Sequence, residues 1–331
     1  MTTLFGIFLL TLLMITGMAI VHTRNLFVAV MLMGIASLLI AASFFLLDAA
    51  DVALTEAAIG AGISTVLFLG ALALTSERER KRRRSLSTSS LLQFGIVGVV
   101  ALIVIWATFD QPRLGSPSAP VQTHLTPWYI ESTRDLIDIP NAVTAVLASF
   151  RGYDTLGEVV VVFTAGVGVL FLLGTGASSR AAGAPLSEDN AGLRHYLIPR
   201  ILGRLLIPFI LLLGFYVQFH GEYGPGGGFQ AGAIIAASVI LYALLEGEQR
   251  ALSVIPQGVL LAMMAGGTLL FGAVGVAGIV LGGNFLDYSV LSEDPVNGQH
   301  WGILLIEMGI GITVAGVLIS IFHAFAARAT A

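Results

Sequence analysis

The chain has 331 residues, 56% of them hydrophobic and only 11% charged, with a formal net charge of −4 and a mean hydropathy of +0.91. A soluble globular chain carries about 25% charged residues, so the composition excludes a soluble domain and predicts an all-α integral membrane protein. Cysteine is absent, which excludes disulfides, iron–sulfur clusters and thiolate zinc sites within the chain.

About nine transmembrane helices are expected, because apolar runs long enough to cross a hydrocarbon core recur along the whole length. The first is about Leu4–Val21, and Met1–Leu4 lacks the basic start of a signal peptide. The second, about Leu26–Leu47, ends at Asp48 and Asp51, and the third is about Val52–Thr75. The run ERERKRRRS, Glu77–Ser85, is the densest basic stretch, and it predicts an orienting loop rather than a nucleic-acid site. A fourth span, about Leu91–Phe109, leads into a longer Pro-rich segment in which Trp128–Phe150 is expected as an interfacial helix. The fifth span, about Thr155–Leu173, ends in a Gly/Ala/Ser-rich linker, Gly174–Asn190, with the composition of a module boundary. The remaining spans are about Ile198–Phe219, Phe229–Leu245, Ile255–Leu281 and Gly302–Phe325. Three modules follow: 1–85 with three spans, 86–178 with two, and 191–331 with four.

Basic residues orient this arrangement. With Glu77–Ser85 in the cytoplasm, 13 of the 16 Lys and Arg residues fall inside and only Arg113, Arg134 and Arg151 outside. The N-terminus is then expected outside, the C-terminus inside, and the segment His220–Gly228 at the outer face.

Between spans six and seven lies HGEYGPGGGFQAG, His220–Gly232. A phosphate loop would need a preceding strand and a following Gly-Lys-Ser/Thr, and neither is present. Glycine-rich backbone at a membrane is tolerated where protein covers it or water reaches it. Pro225, Gly226, Gly227, Gly228 and Phe229 are therefore expected to form a structural loop whose glycines let partner subunits approach the backbone.

Three carboxylates fall within spans: Glu56, Glu158 and Glu307. A charge at the centre of a membrane helix costs about 2.5–3.5 kcal/mol even on insertion scales. Two readings stay open for them: side chains that reach headgroups or cap polar backbone, or side chains that face a hydrated interior and exchange protons or bind cations. Of the histidines, His220 stands at the mouth of the loop, where an imidazole suits proton transfer. His195 and His323 sit at helix ends in structural positions, and His22, His124 and His300 carry no assignment. No His-x-x-x-His, Glu-x-x-His or serine elbow appears, so no enzyme active site, metal site or cofactor is expected.

HGEYGPGGGFQAG followed by an apolar helix resembles the B-type member of the multisubunit Na+/H+ antiporter, called Mrp or Mnh, and the matching component of membrane-bound hydrogenases. Ala53–Gly60, ALTEAAIG, resembles the small D-type hydrogenase component and the C-terminal part of the A-type antiporter component. Asn141–Glu158, NAVTAVLASFRGYDTLGE, resembles the E-type component of the same systems. The resemblance covers nearly the whole chain and implies D-like, E-like and B-like modules fused in one polypeptide. It further implies a multi-pass subunit in the cell membrane, with other membrane subunits as partners, Na+ and H+ as the ions moved, and no nucleic-acid partner. Glu56 and Glu158 match positions where those families carry a membrane glutamate, which implies an ion path at interfaces with neighbouring subunits. Glu222 stands where the family pattern has a second histidine, and the large pumping portion of the A-type component is missing. A membrane subunit of a hydrogenase or related oxidoreductase, and a purely structural scaffold, are the competing expectations.

Overall fold

A computed structural model describes residues 2–75, 78, 88–113, 115–173 and 196–329. Apart from Arg78, the basic run Glu77–Ser85 lies outside them, as do the linker Gly174–Asn190 and His195. The described residues form helices and no strand. Among them nine helices are long and apolar enough to cross a membrane, the arrangement that lets each segment satisfy its own backbone in lipid.

The chain divides into two compact units, Met1–Arg78 with Thr133–Ala331, and Glu79–Ser132. The smaller unit contains the apolar helix α4 (Thr88–Thr108) and a short π-helical turn, Val121–Leu125. Helix α5 (Thr126–Leu136) begins in this unit.

The larger unit contains α1 (Thr2–His22), α2 (Leu26–Leu46) and α3 (Ala50–Ala73). Asn25 starts α2 by accepting the Phe27 amide at 2.9 Å. Within α3 the backbone is π-helical from Glu56 to Ile63. After α5 the chain turns at Asp138, whose φ is 58°, and becomes helical again over Ala142–Phe150. The continuous interfacial helix expected over Trp128–Phe150 is thus two pieces. There follow α6 (Gly152–Leu173), α7 (Leu197–His220), α8 (Gly228–Glu246), α9 (Glu248–Val254), α10 (Gln257–Val280) and α11 (Pro295–Ala329).

Helix α11 is the centre of the larger unit. It packs against α3, α6, α7, α8 and α10, and Ile303, Ile306, Ile310, Val314 and Ile319 along it are buried. Small residues permit the close approach: a Cβ on Gly309 would stand 2.7 Å from the Gly267 carbonyl oxygen of α10. Helix α11 starts at Pro295 rather than near Gly302, because Asp294 caps it, accepting the Val296 amide at 3.2 Å, and proline suits the first helical position. At the far end of α8, buried Glu246 accepts from Arg204 of α7 at 2.6 Å and Arg250 of α9 at 3.0 Å, tying three helices together.

Candidate functional site

The glycine loop closes over a carboxylate of its own chain. Glu307, three turns into α11, is only 7% exposed. A Cβ on Gly221 would stand 3.0 Å from its Oε2, and one on Gly227 would stand 3.1 Å from its Oε1. A Cβ on Gly228 would run into the Glu307 carbonyl oxygen itself. Gly227 also has φ 116°, a backbone angle L side chains rarely adopt. Within the chain these glycines bring the loop backbone onto α11.

Residues distant in sequence hold the loop in place. Asn141 caps the Ala142 helix by accepting the Val143 amide at 3.0 Å. Its Nδ2 lies 3.0 Å from the Gly221 carbonyl, 2.9 Å from that of Gly224 and 3.2 Å from Asp51 Oδ1. The Thr144 hydroxyl donates to the Gly221 carbonyl at 2.7 Å, and the Gly226 amide donates to Asp51 Oδ1 at 3.3 Å. Segments around Asp51, Asn141 and Gly221, far apart in sequence, therefore meet at one point. Gln230, one turn into α8, donates to the Thr55 hydroxyl at 2.8 Å, which links the loop to the residue preceding Glu56.

Beside the loop is a cavity of about 210 Å³ lined by Gln218, Phe219, Glu222, His300, Trp301, Leu304 and Glu307. Its rim residues Phe219 and Trp301 are exposed, while Gln218 and Glu307 are buried. His300 Nδ1 lies 3.0 Å from Glu222 Oε2, and both side chains are partly buried. His300, Leu304 and Glu307 recur at i, i+4 and i+7, one face of α11. The Gln218 Nε2 is buried without a hydrogen-bond partner among the described residues. Among the described residues no group of His, Asp and Glu is arranged to hold a metal ion.

The other expected site residues lie apart from this cluster. Glu56 opens the π-helical segment of α3 and is half-buried, its carboxylate folded over Gly60 beside the Ser37 hydroxyl. Such π-helical turns recur at functional sites. Glu158 stands on the exposed side of α6, whereas Thr155 and Val159 are buried. His220 stacks on Tyr216 with ring centroids 4.7 Å apart, and a Cβ on Gly224 would stand 2.9 Å from its Nε2. Pro225 is exposed, and Phe229 packs against the buried core. His323 is buried with its Nδ1 3.7 Å from Glu248 Oε1.

Asn141, Glu222 and His300 are among the residues of the cluster that the sequence alone does not assign. Asn141 carries a usable signal, an Asn directly before an apolar segment. Nothing local pairs Glu222 with His300, which are 78 positions apart.

Comparison with known proteins finds antiporter subunits among those similar to this chain. Residues 198–320 match the family model described as a domain related to the MnhB subunit of Na+/H+ antiporter, and residues 11–77 match the MbhD model, which describes the D component of MBH. A putative antiporter subunit mnhB2 of Staphylococcus aureus (strain Newman) is 32% identical over 125 residues, which are 37% of this chain and 88% of that one. A probable K(+)/H(+) antiporter A/B protein of Rhizobium meliloti is 27% identical, covering 90% of this chain and 32% of the relative. Among solved structures, a chain of the Mrp complex from Dietzia sp. DQ12-45-1b has a TM-score of 0.74 and 26% identity, over 96% of this chain and 34% of that chain. A chain of an archaeal membrane-bound sulfane sulfur reductase has a TM-score of 0.53 and 28% identity, over 71% of this chain and 98% of that chain. This chain spans 60%, 32% and 20% of the lengths of three curated relatives that it matches.

Proposed function

The chain belongs to the MnhB-related family of antiporter subunits, and from that premise we propose that it is an accessory, ion-path-forming subunit of a Mrp-type multisubunit cation/proton antiporter in the cell membrane. The observation that carries the proposal is Glu307: a carboxylate buried in the central helix, covered by glycine backbone and bordering a cavity that opens to the surface. An isolated charge in such a place is costly, and taking up a proton removes the charge, so the group suits proton exchange. Glu56 and Glu158 extend the path toward neighbouring subunits. The exposure of Glu158 on a membrane helix supports a partner subunit there, because lipid would be a poor environment for it. H+ is one ion moved, and Na+ or K+ the other, both being ions that relatives' names carry.

The likeness to a chain of a sulfane sulfur reductase favours a second reading, in which the same path belongs to a redox-driven complex. Identification of the chains that co-purify with this one from its native membrane separates the two. The ion path itself is tested by Glu56→Gln, Glu158→Gln and Glu307→Gln in the assembled complex. At least one abolishes cation-dependent proton flux without loss of assembly; normal flux in all three leaves the chain a scaffold.

A further inference from the structure

We propose that the cavity beside the loop is a water-filled access chamber for Glu307, and that His300 and Glu222 form the proton relay at its mouth. The inference rests on the reading of Glu307 as a proton carrier and names the route by which its proton arrives.

Distance makes an intermediate necessary. His300 and Glu307 are seven residues apart on one face of α11, a rise of about 10 Å at 1.5 Å per residue. No single hydrogen bond covers that span. Glu222 lines the same cavity as both: its Oε2 is 3.0 Å from His300 Nδ1, and the adjacent Gly221 abuts the Glu307 carboxylate. The cavity volume of about 210 Å³ has room for several waters at about 30 Å³ each. The Gln218 Nε2 in its wall, buried and without a partner among the described residues, is a donor that such water satisfies.

The charged and titratable groups facing His300 and the cavity are Glu222 from the loop and Glu307 from α11, with Asp51 from α3 bonded to the loop backbone behind them. Among the described residues no Lys or Arg lines the cavity, and an acidic chamber of this kind attracts protons. In the relay, protonated His300 gives its Nδ1 proton to the Glu222 carboxylate, breaking N–H and forming O–H. Glu222 then releases that proton to water in the chamber, which delivers it to Glu307. His300 is made ready again by uptake from bulk water.

The test compares proton flux in the assembled complex for His300→Gln, Glu222→Gln and Glu307→Gln. His300→Gln is expected to slow flux about tenfold or more, with unchanged complex yield. Glu222→Gln slows flux comparably. If either variant fails to assemble, Leu304→Phe, which narrows the chamber without removing either relay side chain, is expected to slow flux. Wild-type rate in the assembled variants, with Glu307→Gln inactive, would overturn the relay alone. Normal flux in Glu307→Gln would instead overturn the reading on which it rests.

Discussion

Glu307 and Gly221 are in contact, the glycine Cα so placed that a Cβ would stand 3.0 Å from one carboxylate oxygen and 3.1 Å from the other. The contact joins the loop between α7 and α8 to the central helix α11. It gives the glycines of this loop a physical reason, since any side chain would push the backbone off the carboxylate.

Gly228→Ala is accordingly disruptive. Its Cβ would meet the Glu307 carbonyl, which is backbone and cannot swing aside. Overpacking of this kind costs about 1–3 kcal/mol. Lower yield and earlier thermal unfolding of the purified complex are expected. Gly266→Ala, with no atom within 4 Å of the added Cβ, serves as the control and leaves both unchanged.

Asn141→Asp separates the two tasks of that side chain. Aspartate keeps the helix cap, but it loses the donor to the Gly221 and Gly224 carbonyls and sets a second carboxylate near Asp51. Thermal unfolding is expected to show a loss of about 1–3 kcal/mol, as large as that of Asn141→Ala. Stability equal to wild type would mean that capping alone matters at this position.

Much of this fold is legible in the sequence, for reasons that particular residues show. The spans stand out because lipid demands continuous apolar runs, as in Leu26–Leu46. The start of α11 lies earlier than the apolar pattern suggests: Asn297, Gln299 and His300 look like loop, although Asp294 and Pro295 carry a helix-start signal. Glu307 is recognisable as a carboxylate inside a span. Its contact with Gly221 is not, nor is that of Asn141 with Asp51, because pairings across 90 positions depend on how helices pack rather than on local pattern. The π-helical turn at Glu56 also leaves no periodic trace.

Tyr288 gives a pH prediction with a definite sign. Its hydroxyl donates to the Ala148 carbonyl at 3.0 Å within the core, and burial pushes the phenol well above its ordinary range. The folded state therefore holds the proton more tightly than the unfolded chain, whose phenols ionise near pH 10. This contribution is complete below about pH 10 and is lost as the pH rises further. Tyr288→Phe is expected to cost about 1 kcal/mol at neutral pH and to remove that part of the alkaline loss, as read by unfolding curves from pH 7 to 11.

The sorting of basic residues predicts the orientation. A reporter fused after Arg328 should register as cytoplasmic, and one inserted within Gly115–Thr123 as external. The opposite pattern would reverse the faces assigned to the loop and its cavity.

Whether the carboxylate under the glycine loop carries the proton is decided by cation-driven proton flux in vesicles holding equal amounts of assembled wild-type, Glu307→Gln and Glu307→Asp complex. Flux is expected to fall by at least about a hundredfold in Glu307→Gln and to persist in part in Glu307→Asp, which keeps a carboxylate. Wild-type flux from Glu307→Gln would contradict that role.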